Sequence, residues 1–336
     1  MLHWKGRTTA SRKVEEYIME MEKDNPTKTK TPNKGVLRLL TLIIVLIWAA
    51  AWIFMKIGLA YMGPFTLSAL RFISGSATLL ILLFFLKRLS VKNMQIRDLV
   101  ILGFIQTTAV FALVQYGLVF VDAGKTSVLL YSMPIWSAAM AAKFLDEKLS
   151  GVKITAMILG AIGLVLIVGF DASAIRDQSV FVGELLVIVA AVFWATANIF
   201  YQKKFHDADR IQVNAYQMLF GAIGLTIAAI TMEWGEPVEF NAISIFTILF
   251  TGILGSAVNF SIWFYLLTVI DTATASISIL LVPVFGLILS VIFLDEALTA
   301  SMIAGSILIL SGVFITQFSD FFDRKIKRTA AEKTDL

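Results

Sequence analysis

Hydrophobic residues run along this chain in stretches of about twenty, broken by short polar turns. The stretches fall at 37–59, 64–86, 98–119, 125–144, 152–170, 181–202, 211–231, 243–266, 273–293 and 299–318. A helix crosses the hydrocarbon of a bilayer in about 20 apolar residues, so the pattern predicts ten membrane-spanning helices. Strands of a membrane barrel would alternate over about ten residues, and these runs do not. Composition agrees, with 58% hydrophobic residues, 15% charged ones and a mean hydropathy of +0.83.

The segments divide into two sets of five. Phe111 to Gly163 returns without a gap as Phe260 to Gly312, an offset of 149, and FLDEKLS at 144–150 is answered by FLDEALT at 293–299. Shared apolar composition explains matching Leu and Ile, but not Asp122 with Asp271, Pro134 with Pro283 and a doubled Asp-Glu. Earlier in each half the offset is 146: IWAAAWIFMK superposes on FWATANIFYQ, placing Trp48 on Trp194 and Phe54 on Phe200. Because five is odd, the first segment and its counterpart, the sixth, cross in opposite senses. The expected fold class is an all-α membrane protein of ten transmembrane helices in two inverted five-helix repeats, 37–170 and 181–318, between tails 1–36 and 319–336. Inverted repeats let each half adopt the other's conformation, a route to alternating access.

The net charge of +4 follows topology and does not form a nucleic-acid face. Lys and Arg gather at every second connection: Lys87, Arg88, Lys92 and Arg97; Lys143, Lys148 and Lys153; Lys203, Lys204 and Arg210; then the C-terminal tail. The intervening connections are poor in them, and Met232 to Asn241 carries only Glu233, Glu236 and Glu239. By the positive-inside rule both termini are cytoplasmic, although the connection at Thr268 to Thr272, expected inside, has no Lys or Arg. Residues 1–36 lack the apolar core of a cleavable signal and read as a disordered cytoplasmic tail, with Met21 an equally good start. There is no cysteine, hence no disulfide or thiolate chemistry, and His3 and His206 lie outside the spans.

Helical residues four apart share a face. Trp48, Trp52 and Lys56 thus form one stripe, with Trp194, Asn198 and Gln202 as its partner. Polar residues in mid-span face the protein interior or a watery cavity. Segment 8 repeats the same chemistry in Asn259 and Trp263, so Trp48, Trp52, Trp194, Asn198, Asn259 and Trp263 are the expected substrate contacts. Lys56, Arg71, Tyr116, Gln217, Pro134 and Pro283 are candidates for the cavity or its gates, and Gln106, Thr107, Thr108, Gln115 and Asn214 add polar groups. Each has a structural alternative: tryptophan as interfacial anchor, amides joining helices, prolines bending them. Asp146, Glu147, Asp295 and Glu296 read as turn residues beside the N-caps Ser150 and Thr299. Glu184 reads similarly, with proton coupling left open. Ala156 with Gly160, and Ser301 with Gly305, have the spacing of close helix packing. AGKTS at 123–127 imitates the end of a phosphate loop, but Val119 stands where that motif needs glycine. Convergent acid, base or metal ligands are missing, so neither an enzyme, a cofactor nor a metal is expected.

The IWAAAW run, PFTLSALRF in the second segment, and two copies of Pro, then FLDE(K/A)L(S/T), then a Gly-bearing helix resemble the EamA-type permeases of the drug/metabolite transporter superfamily. The resemblance covers about 37–318 and implies transport of amino acids, other metabolites or toxic compounds. Ala49 stands where that family often has glycine. The expected function is a secondary-active exporter of a small polar or amphipathic metabolite such as an amino acid, multi-pass in a bacterial plasma membrane, acting as monomer or homodimer. Its expected partners are the metabolite and the lipid bilayer, with protons open as coupling ion and no nucleic acid. An uptake permease of the same fold, a channel or a sensory membrane protein remain alternatives. Because the expected contacts carry no net charge, a zwitterion or neutral solute fits better than a polyanion.

Overall fold

Caps and turn residues end each apolar run and set the helices. The computed structural model describes residues 34–91, 94–145, 150–169, 178–205, 207–269, 272–318 and 321. The helices are α1 (Lys34–Gly58), α2 (Pro64–Phe85), α3 (Ile96–Gly103), α4 (Val110–Phe120), α5 (Ala123–Leu130), α6 (Met133–Phe144), α7 (Gly151–Gly169), α8 (Gln178–Phe205), α9 (Arg210–Met232), α10 (Ala242–Leu249), α11 (Asn259–Val269), α12 (Thr272–Leu294) and α13 (Ala300–Gln317). π-helical runs, Phe104–Ala109 and Phe250–Val258, join α3 to α4 and α10 to α11. No strand occurs among the described residues. The packing below is that within residues 40–336; residues 34–39 supply the first turns of α1.

Pro64 opens α2, where its missing N–H costs nothing. Asp209 caps α9 by accepting from the Ile211 and Gln212 N–H groups. Asn241 and Ser244 form a reciprocal capping box on α10, and the Thr299 hydroxyl accepts from Met302 N on α13. Ser150 Oγ likewise accepts from Lys153 N, so both N-caps read from the sequence are in place. Gly235, at φ 83°, makes the turn after α9 in a conformation that side-chain-bearing residues resist.

Seven helices among the described residues are long and apolar enough to cross a membrane, and Ile279–Leu294 and Ala300–Thr316 are shorter apolar helices. Apolar side chains such as Ile81, Val165, Ile227 and Ile307 point outward, whereas Ala190, Ala195, Ala197 and Ser127 fill the interior. That distribution suits a bundle whose surroundings are oily and whose helices approach closely through small residues. Helices pack on their sequence counterparts: α7 on α13, α2 on α9, α5 on α12. The α7–α13 contact is close, since a Cβ on Gly163 would meet the Gly305 carbonyl oxygen at 2.7 Å. The small-residue spacing is therefore spent on packing within one chain.

The fourth segment departs from expectation. Pro134 does not bend a continuous helix; the chain breaks at Tyr131 and Ser132, and Pro134 stands in the first turn of a new helix, α6. Pro283, its counterpart, stays inside continuous α12. A proline in a first turn loses no hydrogen bond, and one in an interior does, so the two are not equivalent. Asp146, Glu147, Lys148, Asp271, Lys92, His3, His206, residues 1–33 and the C-terminal tail apart from Phe321 lie outside the described residues.

Candidate functional site

A cavity of about 490 Å³ lies within the bundle, a volume suited to a small organic molecule. Its wall is built from counterparts. Trp48 and Trp194, Trp52 and Asn198, Arg71 and Gln217, Phe111 and Phe260, and Leu130 and Ile279 are pairs of equivalent positions at offsets of 146 or 149, and all ten line it. Trp263 completes an aromatic patch, its ring 5.9 Å from that of Trp48 in an edge contact. Trp48 Nε1 donates to the Gly255 carbonyl at 3.0 Å, which fixes the indole. That carbonyl lies in the second π-helical run, and Gln106 of the first run also lines the cavity. Irregular helical turns of this kind free backbone groups and recur at functional sites.

Arg71 is buried in this wall. Its guanidinium rests between the rings of Phe72 and Phe111, at 4.9 and 4.7 Å from their centroids. Opposite, Gln217 accepts from Thr107 Oγ1 at 2.7 Å and donates to Asn214 Oδ1 at 2.9 Å, so its amide is held in one orientation. Among the lining residues there are two arginines, Arg71 and Arg210, and no carboxylate. The aromatic and amide positions expected as contacts are uncharged, and the two arginines make the wall around them net positive.

Asn259, Tyr116, Lys56, Pro134 and Pro283 stand outside the wall, as do Thr107, Thr108 and Gln115. Asn259 is absent from the cavity wall; fully buried, its Nδ2 donates to the Ile44 carbonyl at 2.8 Å and ties α11 to α1. Tyr116 lies 41% exposed on the bundle surface, stacked on Phe65, because its position on α4 faces away from the core. Lys56 turns from its stripe to donate to the Leu118 and Val121 carbonyls at 2.6 and 3.0 Å, where the C-terminus of α4 presents unpaired oxygens. Thr108 and Gln115 donate to the Gly221 and Met55 carbonyls.

The long-range contacts of carboxylates and lysines sort to the two ends of the bundle. At one end Glu296 accepts from the Ala123 and Gly124 N–H groups, 2.6 and 3.0 Å, at the N-terminus of α5, while Lys56 holds the C-terminus of α4. Glu233 does the same for α2, accepting from Phe65 N, Thr66 N and Thr66 Oγ1 at 2.6 to 2.8 Å. Carboxylates here meet both orphan N–H groups and the positive end of the helix dipole. Nearby, Lys125 Nζ and Glu184 Oε1 form a buried pair at 2.9 Å. The opposite end carries Lys204 with Asp98 and Arg88 with Asp209, at 3.5 and 3.4 Å, on more exposed side chains. The cavity wall reaches that Lys/Arg-rich end through Tyr201 and the exposed Arg210.

Glu233, Glu296 and the Lys125–Glu184 pair make contacts that the sequence does not announce. Glu296 and Glu184 were expected to serve their own turns, yet Glu296 acts 173 residues away and Glu184 is not in the cavity wall. The signal available for Glu296 was only that FLDEALT, unlike FLDEKLS, has no basic neighbour.

The EamA-like transporter family model matches the chain twice, at residues 36–169 and 181–318. An uncharacterized transporter of Bacillus subtilis, YoaV, is 34% identical over 284 residues, which is 84% of this chain and 97% of the relative. Proteins described as probable amino-acid metabolite efflux pumps, from Salmonella typhimurium and Escherichia coli, are 26% and 25% identical over 87% and 86% of this chain and 96% and 97% of their own lengths. A solved crystal structure shares the fold with a TM-score of 0.61 at 18% identity, covering 88% of this chain and 99% of its own.

Proposed function

The chain belongs to the EamA-like transporter family, and from that premise we propose that it is a secondary-active exporter of a small amphipathic metabolite, an amino acid first among them, in a bacterial plasma membrane. One observation carries the reading: five positions of the first half and their five counterparts line a single cavity. Two copies laid side by side would keep separate walls, whereas a twofold relation brings equivalent residues together, and five spans per half, an odd number, put its axis in the membrane plane. Packing of α7 on α13, α2 on α9 and α5 on α12 supports the same relation. The seven long helices, the two shorter ones and the broken α5–α6 segment then make ten spans, in two inverted halves at 37–170 and 181–318.

With the Lys/Arg-rich end cytoplasmic, the described conformation is open inward. Its cavity reaches Arg210, while Glu296, Lys56 and Glu233 hold the outer end shut. Rocking of the halves would exchange open and closed ends around the fixed aromatic wall. A single chain supplies the whole wall, so the transporting unit is a monomer. The two relatives described as amino-acid metabolite efflux pumps favour amino acids as cargo and export as direction.

The test is flux in vesicles reconstituted with the pure protein, using labelled amino acids with and without a pH gradient. Saturable uptake, accelerated by unlabelled solute on the far side, is expected for at least one of them. Unsaturable conductance without counterflow would identify a channel and overturn the proposal.

A further inference from the structure

Arg71 is 7% exposed, deep in an apolar bundle, and no ion pair to it occurs among the described residues. Its five N–H donors find a thioether, Met55 Sδ at 2.9 Å, and one hydroxyl, Ser256 Oγ, at 3.4 Å from two of its nitrogens. At that length little hydrogen-bond energy remains. The flanking rings of Phe72 and Phe111 orient the guanidinium without neutralising it. Other buried cations here are answered differently: Lys125 by the Glu184 carboxylate, Lys56 by two helix-terminal carbonyls. A buried charge left without a counter-ion is costly, and within a membrane span such a residue marks a binding path more often than a fold requirement.

Resting on the transporter reading above, we propose that Arg71 anchors the carboxylate of the substrate, so that the carried class is monocarboxylates, α-amino acids included, and excludes amines and phosphate esters. Three features set the class. Among the described residues no Asp or Glu lines the cavity, so an amine lacking a carboxylate would add positive charge to a wall that already holds Arg71 and Arg210. One buried cation balances one negative charge, and a phosphate dianion would need a second. Lys56 is turned away, and Arg210 sits at the mouth, seven residues before Gln217 on α9, about 10 Å of helical rise. The remaining wall is indole and amide, from Trp48, Trp194, Trp263, Asn198 and Gln217. It receives an apolar side chain or, by cation–π attraction, the ammonium of a zwitterion.

The experiment uses the full chain in vesicles and a panel of labelled amino acids, each competed by itself, by its amide and by its decarboxylated amine. The expected result is that the acids compete while amides and amines are weaker by about 30-fold or more, the loss that follows when one partner of a buried charge pair is removed. Arg71→Gln should erase that preference and Arg71→Lys keep part of it. A purely structural Arg71 would lower protein yield in both variants without changing the ranking of acid over amide. Because the ranking is read first on the wild-type protein, a variant that fails to fold does not rescue the idea. Equal competition by amides or amines, with transport intact, would overturn the anchor and leave the transporter reading standing. Absence of flux for every acid in the panel would overturn both.

Discussion

Trp194→Ala and Asn198→Ala each cut substrate flux to about 3% of wild type or less while the protein still reaches the membrane in normal amount. Trp194 is half-buried, lines the cavity, and meets Phe111 with ring centroids 5.9 Å apart, so its indole face is available to a solute on the open side. Truncating an aromatic anchor in a desolvated pocket costs about 2 kcal/mol or more, which is roughly 30-fold in binding. Asn198, one helical turn further along α8, is in the same wall, and none of the hydrogen bonds described here occupies its amide. Both side chains are only partly buried, and Trp194 packs at the edge of the core beside the cavity, which is why expression is spared. Trp234 provides the control: 82% exposed and outside the cavity, its replacement by alanine leaves flux unchanged. Parallel measurement of membrane abundance and initial flux checks the prediction, and wild-type flux in both Trp194→Ala and Asn198→Ala removes the cavity from the mechanism.

The second large effect is on stability. Lys125→Met or Glu184→Leu alone should destabilise the protein by about 3–5 kcal/mol, whereas the double variant should lie within about 1–2 kcal/mol of wild type. The pair joins α5 to α8 at 2.9 Å, with side chains 5% and 0% exposed. Removing one partner takes from the other the counter-charge that faces it at 2.9 Å; removing both takes away the two buried charges together. Thermal unfolding in detergent, run on the two single variants and the double, measures the non-additivity. Additive losses would show that each residue is held by separate contacts and that the ion pair is incidental.

Much of the architecture is legible in the sequence because it depends on local quantities. Apolar run length gives the seven long helices, and Ser150 and Thr299 announce the helices that begin at the next residue. The repeat also located most of the cavity: Trp48 with Trp194, and Arg71 with Gln217, are found by superposing the halves, and they converge in space. What could not be read depends on which helices touch. Asn259 and Asn198 look alike as mid-span amides, yet one is turned to the Ile44 carbonyl and the other to the cavity. Lys56 shares a helical stripe with Trp48 and Trp52, but its long stem lets the ammonium leave that face for the end of α4. Glu233 and Glu296 cap helices 167 to 173 residues away, and nothing in the neighbouring sequence marks them for it. The break at Tyr131 and Ser132 was hidden because a proline reads the same whether it kinks a helix or starts one.

The proposed opposite threading of the two halves would account for the shared cavity, the closed outer end and an exchange of conformations, and single cysteines test it directly. The chain has none of its own, so Ser150→Cys and Thr299→Cys, at equivalent turns of the repeat, each report one site. Labelling with a membrane-impermeant maleimide on intact cells, then on inverted vesicles, should modify Thr299→Cys only from outside and Ser150→Cys only from the cytoplasmic side. Modification of both from the same face would contradict the inverted arrangement and the mechanism built on it.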